Sequence, residues 1–144
     1  MSDTKNPSEM TGAEMFERGM TIRREVLGDA YVNKATSNPN PFNAPLQELV
    51  ATYCWGWNWG REEELPRRDR SLINLAMIAV LGRSHELKIH TRGALNNGLT
   101  REEIREVLLQ VGIYAGIPAA VDSFRIVNEA FAEIDAEAQA GGAE

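Results

Sequence analysis

The run Arg83-Ser-His-Glu-Leu-Lys-Ile-His90 gathers the residue types best suited to chemistry in this 144-residue chain. On a helix, side chains advance about 100° per residue. Glu86 and His90 are four apart, so they share a face and can meet. Arg83, three before Glu86, falls on the same face. A carboxylate beside an imidazole fixes its tautomer and raises its pKa, which suits a general acid. Two other readings of the spacing stand beside this one. An i,i+4 pair can serve only to stabilise its helix. Glu86 and His90 could also be two ligands of a metal, but His85 points about 140° away from His90. The chain has two histidines and one cysteine, which leaves no evident third ligand, so no metal site is expected.

Other residues could shape a pocket around that pair. Trp55, Trp57 and Trp59 flank Gly56, as an apolar wall, an oligomer interface or core packing. Arg70 precedes an apolar run and could project inward to hold an anion. Glu62 to Glu64 and the pair Arg67-Arg68 read as solvated charge. A glycine-rich phosphate loop, a Gly-x-Ser-x-Gly elbow and zinc-ribbon spacing are all absent.

Helices must position these groups. Thr11 caps a helix predicted to run to Leu27, with Met15, Ile22 and Val26 on one side and Gly28 as its stop. A short helix follows from Asp29 to Ser37, then a turn at Asn38-Pro39-Asn40-Pro41. A further helix is expected from Pro45 to Trp57, and a polar loop from Gly60 to Leu65. Pro66 opens a helix to Gly82. Its half from Leu72 to Leu81 is apolar almost all round, the pattern of a central buried helix. The next helix spans Ser84 to Asn97, stopped by Gly98. Thr100 and Glu103 form a capping box. Ile104, Val107, Leu108, Val111 and Ala115 follow at helical spacing. Pro118 opens the last helix, with Ala120, Phe124, Val127, Phe131 and Ile134 inward. No run alternates as a strand would.

The expected organisation is a flexible arm over 1–10, a single helical domain over 11–138 and a tail over 139–144. A formal charge of −6 provides no net attraction for nucleic acid. Twelve of the fifteen basic residues are Arg, the residue that grips carboxylates with a bidentate fork. The single cysteine, Cys54, is expected to be reduced and buried, as in a cytoplasmic protein. The start of the chain is polar, without a leader pattern, and no apolar run approaches the ~18 residues of a membrane span.

Several segments resemble the 4-carboxymuconolactone decarboxylase family. They are Arg70-Ser-Leu-Ile-Asn-Leu-Ala-Met77, Glu86-Leu-Lys-Ile-His-Thr-Arg92, the stretch from Ala94 to Gln110, and Tyr114-Ala-Gly-Ile-Pro-Ala-Ala120. Arg23-Arg-Glu-Val-Leu-Gly-Asp29, Pro41-Phe-Asn43 and Leu65-Pro-Arg67 agree. The resemblance implies an all-α, compact bundle of about six or seven helices, alkylhydroperoxidase-D-like, assembled as a homo-oligomer of three or six chains. It implies a lyase without cofactor, converting 4-carboxymuconolactone to an enol-lactone in the protocatechuate (beta-ketoadipate) branch of aromatic catabolism. In a related branch a Cys-x-x-Cys pair precedes the shared histidine. Those positions are Arg83 and Glu86 here, so that redox chemistry is excluded. The chain departs from the decarboxylase pattern at Ser84, His85 and Val121. On this reading His90 and Glu86 are catalytic, Arg83 and Arg70 hold a substrate carboxylate, and Trp55 lines the site. A lactone isomerase or hydrolase of the same fold, and a non-catalytic oligomer that binds a small molecule, are the alternatives.

Overall fold

The protein is all-helical in a computed structural model that describes residues 5–142. Parts of the expected arm and tail, residues 1–4 and 143–144, lie outside the described residues. The described residues form seven α-helices: α1 Gly12–Leu27, α2 Asp29–Thr36, α3 Ala44–Leu49, α4 Arg67–Val80, α5 Ser84–Asn96, α6 Arg101–Ala115 and α7 Ile117–Gly141. A π-helical segment, Val50–Asn58, continues α3, and a short 3-10 turn, Pro7–Glu9, precedes α1. No strand occurs among the described residues. The chain divides into two compact units, Met1–Arg67 and Arg68–Glu144.

In the N-terminal unit, Thr11 accepts from the Glu14 backbone while the Glu14 carboxylate accepts from the Thr11 backbone, so both ends of a capping box are made. Lys5 also donates to Glu14, and these contacts pull that carboxyl down to about 2. Gly28, at φ +88°, ends α1 in a conformation that L side chains rarely adopt. Met15, Ile22, Val26 and Leu27 are buried from α1, and Ala51, Trp55 and Trp59 from in and beside the π segment. The two elements approach closely because both present glycine. A Cβ on Gly19 would overlap the Ala51 carbonyl, and one on Gly56 would overlap the Met15 carbonyl. The helix expected over 45–57 is therefore wound in two ways. Residues 51, 55–56 and 59–60 are buried at a spacing of four to five, which suits i→i+5 winding better than i→i+4.

The C-terminal unit is built from regular α-helices. Thr100 and Glu103 form the second capping box. Leu75 and Ala79 of α4, Leu87 and Ala94 of α5, Ile104 and Leu108 of α6, and Ile126 and Val127 of α7 share one core. Salt bridges from Lys88 to Glu129 and Glu133, and from Arg92 to Glu137, tie α5 to α7, and Arg101 to Asp135 ties α6 to α7.

One expectation is corrected. The Leu72 to Leu81 stretch is not buried all round: Ser71, Leu75 and Ala79 face the core, whereas Ile73, Met77, Val80 and Leu81 are 47–69% exposed in the single chain. Apolar character on every side of a helix does not by itself say which side packs into the chain's own core.

Candidate active site

α5 carries the pair of interest and begins one residue later than Arg83. Gly82 turns the chain at φ +66°, and Arg83 stands at the N-cap with φ −88° and ψ 78°. Arg83 is exposed and lies outside the helical repeat, so the i,i+3 relation to Glu86 expected from spacing does not set its side-chain direction. Leu87, Thr91 and Ala94 anchor the inner face of α5. Glu86 is exposed and His90 half-buried on the flank of that face.

Burial dominates the electrostatics at His90. Removal from water pushes the imidazole below its ordinary 6.5, and the Glu86 carboxylate pulls it only partly back. The sequence expectation ran the other way, because spacing reveals the carboxylate but not the desolvation. His90 is consequently a neutral imidazole at pH 7. In that form it keeps one N–H donor and one acceptor nitrogen.

The remaining candidates fall in different places. Arg70 is half-buried on α4, in the same unit as His90. Trp55 belongs to the N-terminal unit, where it is buried and stacked on Trp59 with ring centroids 4.9 Å apart. That stacking gives Trp55 a packing role. Trp57 is 45% exposed, with the Arg61 guanidinium 5.0 Å from its ring centroid. Cys54 is exposed, not buried as expected, although its surroundings still hold the thiol above its ordinary value through desolvation, with Arg23 pulling the other way. It lies within the π segment, between buried Ala51 and buried Trp55. Among the described residues no three His, Cys, Asp or Glu side chains converge as a metal ion would require.

A cleft of about 830 Å³ opens in the N-terminal unit, lined among others by Phe16, Glu17, Asn40, Asn43, Gln47 and Glu48. It holds amides, carboxylates and apolar groups, and neither His90 nor Glu86 is among its lining residues.

One residue went unnoticed in the sequence. Arg23 is buried at 6% exposure, and its Nη1 donates to Gln47 Oε1 at 3.0 Å. Its Nε is buried with no hydrogen-bond partner. The signal was available: Arg23 stands between Ile22 and Val26 on the apolar stripe of α1, where a cation is out of place.

The carboxymuconolactone decarboxylase family model matches residues 44–129. A 4-carboxymuconolactone decarboxylase of Acinetobacter baylyi is 37% identical over 125 residues, 87% of this chain and 92% of that protein. A nitrosuccinic acid decarboxylase of Metarhizium robertsii is 40% identical over 115 residues, 80% of each chain. A 4-carboxymuconolactone decarboxylase of Pseudomonas putida is 36% identical over 47 residues, 33% of this chain and 98% of that sequence.

Proposed function

Because the chain belongs to the carboxymuconolactone decarboxylase family, and is a carboxy-lyase, we propose that it removes CO₂ from 4-carboxymuconolactone to give an enol-lactone in aromatic catabolism. The observation that supports this substrate is the similarity to the Acinetobacter enzyme over nearly that protein's whole length.

The chemistry needs little from the protein beyond charge and proton management. The leaving carboxylate sits on the γ carbon of an unsaturated lactone. Its bonding electrons pass through the double bond to the lactone carbonyl as CO₂ departs. Negative charge grows on that oxygen, and the lactone is its own electron sink. His90 donates its N–H to the growing oxyanion. Being neutral, it is a donor that burial favours. Dienolate charge nearby then raises the proton affinity of the imidazole. A proton drawn past Glu86 is passed by His90 to the α carbon, which restores the neutral ring. Arg70 and Arg83 hold the substrate's carboxylates from the same unit as His90.

A second reading is favoured by the Metarhizium relative. In nitrosuccinate the nitro group takes the place of the lactone as electron sink, and the proton management is the same. The two readings share a feature: one carboxylate leaves and another remains.

The protein works as a homo-oligomer of three or six chains inside the cell in this proposal. Support comes from the stripe Ile73, Met77, Val80 and Leu81 on α4 and from exposed Leu109, Ile113, Tyr114, Ile117 and Val121 around the α6–α7 turn. No helix among the described residues is long and apolar enough to cross a membrane. The experiment is CO₂ release by the purified protein, with 4-carboxymuconolactone and with nitrosuccinate. Turnover of the lactone at a higher kcat/KM is expected. Turnover of nitrosuccinate alone would transfer the assignment to the second reading, and release from neither would refute both.

A further inference from the structure

We propose that Arg23 of α1, with Gln47 of α3 beside it, is the binding point for a carboxylate of a small organic acid. The argument begins with what a buried cation requires. A guanidinium taken out of water is strongly disfavoured unless an anion or a full set of acceptors replaces the lost hydration. Arg23 is 6% exposed. Among the described residues no carboxylate pairs with it, and the acceptor at its Nη1 is a neutral amide, Gln47 Oε1 at 3.0 Å. Neighbouring arginines of the same unit differ. Arg24 pairs with Asp29, and Arg67 with Glu25 and Glu62.

The orphaned atom indicates the shape of the missing partner. Gln47 occupies Nη1, while Nε is buried without an acceptor. The donor left over is thus on the edge of the guanidinium that carries Nε, turned away from the amide at Nη1. Two parallel N–H donors on that edge match the two oxygens of a planar carboxylate. Gln47 also lines the 830 Å³ cleft, so the cation stands directly behind one wall of a space that a small acid can occupy. Glu17 and Glu48 line the same cleft and oppose an anion, but both are exposed and screened by solvent, so they weaken its binding without cancelling it. Cys54 senses the Arg23 charge. Its exposed thiol is a reporter for whatever neutralises that charge.

The choice of a carboxylate over other anions rests on the decarboxylase reading, in which substrate and product are both small organic acids. The test does not depend on turnover. Succinate is titrated into the full-length protein by calorimetry, with neutral succinamide as control, and the rate of Cys54 alkylation by iodoacetamide is followed in parallel. Succinate should bind the wild type and slow alkylation, because an anion on Arg23 raises the thiol pKa; succinamide should do neither. Arg23→Met should fold with an unchanged or higher Tm, since an uncompensated buried charge is gone. It should bind succinate about tenfold or more weakly, as expected for the loss of a charge-assisted pair. Arg23→Lys should recover part of the affinity, which keeps the test informative if the methionine variant fails to fold. Succinate that does not bind the wild type, or that binds Arg23→Met equally well, would overturn the proposal. Succinate binding through Arg23 in a protein that releases no CO₂ from either acid would uphold the site while removing the decarboxylase reading. Turnover of either acid by a protein whose succinate affinity is unchanged in Arg23→Met would remove the site alone.

Discussion

The two units of the chain treat charge and backbone in opposite ways. In the C-terminal unit the helices are regular, and the paired cations Lys88, Arg92, Arg101 and Arg125 lie toward solvent against carboxylates one helix or one turn away. In the N-terminal unit a π segment replaces an α-helix, glycines bring backbones together, and Arg23 is buried with only an amide acceptor. Surface ion pairs are worth little individually and are easily built. A buried cation and a π turn are each costly, and both tend to persist where a ligand or a reaction uses them. The regular unit thus carries Glu86 and His90 on a rigid helix, and the irregular one carries the unexplained charge.

That contrast can be broken first at its backbones. Gly19→Ala should place a methyl group into the Ala51 carbonyl, where the obstacle is main chain and cannot rotate aside. Overpacking typically costs about 1–3 kcal/mol, and a loss at or above the top of that range is expected by denaturant unfolding. Leu75→Ala, in the fully buried core of the other unit, should cost about 2–5 kcal/mol by leaving a cavity. A Gly19→Ala protein as stable as wild type would mean that the two elements are not held so close.

Smaller effects sharpen the comparison. Thr11→Ala and Thr100→Ala remove one capping box from each unit and should each cost about 1 kcal/mol in the same assay. Equal costs would show that local helix initiation is alike in both units, and that their difference lies in packing. Arg125→Ala removes pairs to Asp122 and Glu129 that are exposed to solvent, and its Tm should barely move. A large loss there would contradict the view that these cations only decorate a regular surface.

What the sequence revealed follows this division. The N-cap at Thr11, the capping box at Thr100 and the stops at Gly28 and Gly98 were legible, because a cap depends on residues within four positions of each other; the Glu14 half of the first box was not read. The start of α5 was placed well at Ser84, but the turn at Gly82 that takes Arg83 out of the helical repeat was not seen. The π segment was read as α because an apolar run rich in aromatics satisfies a spacing of three to four or of four to five about equally well. The outer face of α4 was misassigned to the core, since hydrophobicity alone does not say which face of a helix packs inward. For Glu86 and His90, spacing revealed the shared face but not the sign of the imidazole's shift, which depends on how much water the fold removes.

The sign of that shift makes the central claim testable in one experiment: the pH dependence of CO₂ release from 4-carboxymuconolactone by wild-type and His90→Gln protein. With a folded-state pKa below 6.5, His90 is neutral above that pH and becomes charged only in acid. Protonation then favours the unfolded chain, so stability should be full above about pH 6.5 and fall as pH drops through the window beneath it. The wild-type kcat should therefore hold through neutrality, with an acid limb centred below 6.5 at pH values where the protein remains folded. Glu86→Gln, by removing the carboxylate that draws the pKa upward, should move that limb further toward acid. His90→Gln, verified as folded by circular dichroism, should lose about 10²- to 10⁴-fold in kcat and lose the limb altogether. A His90→Gln protein that keeps near-wild-type kcat and the same acid limb would contradict the account, leave Glu86 and His90 as a helix-stabilising contact, and place the proton donor elsewhere.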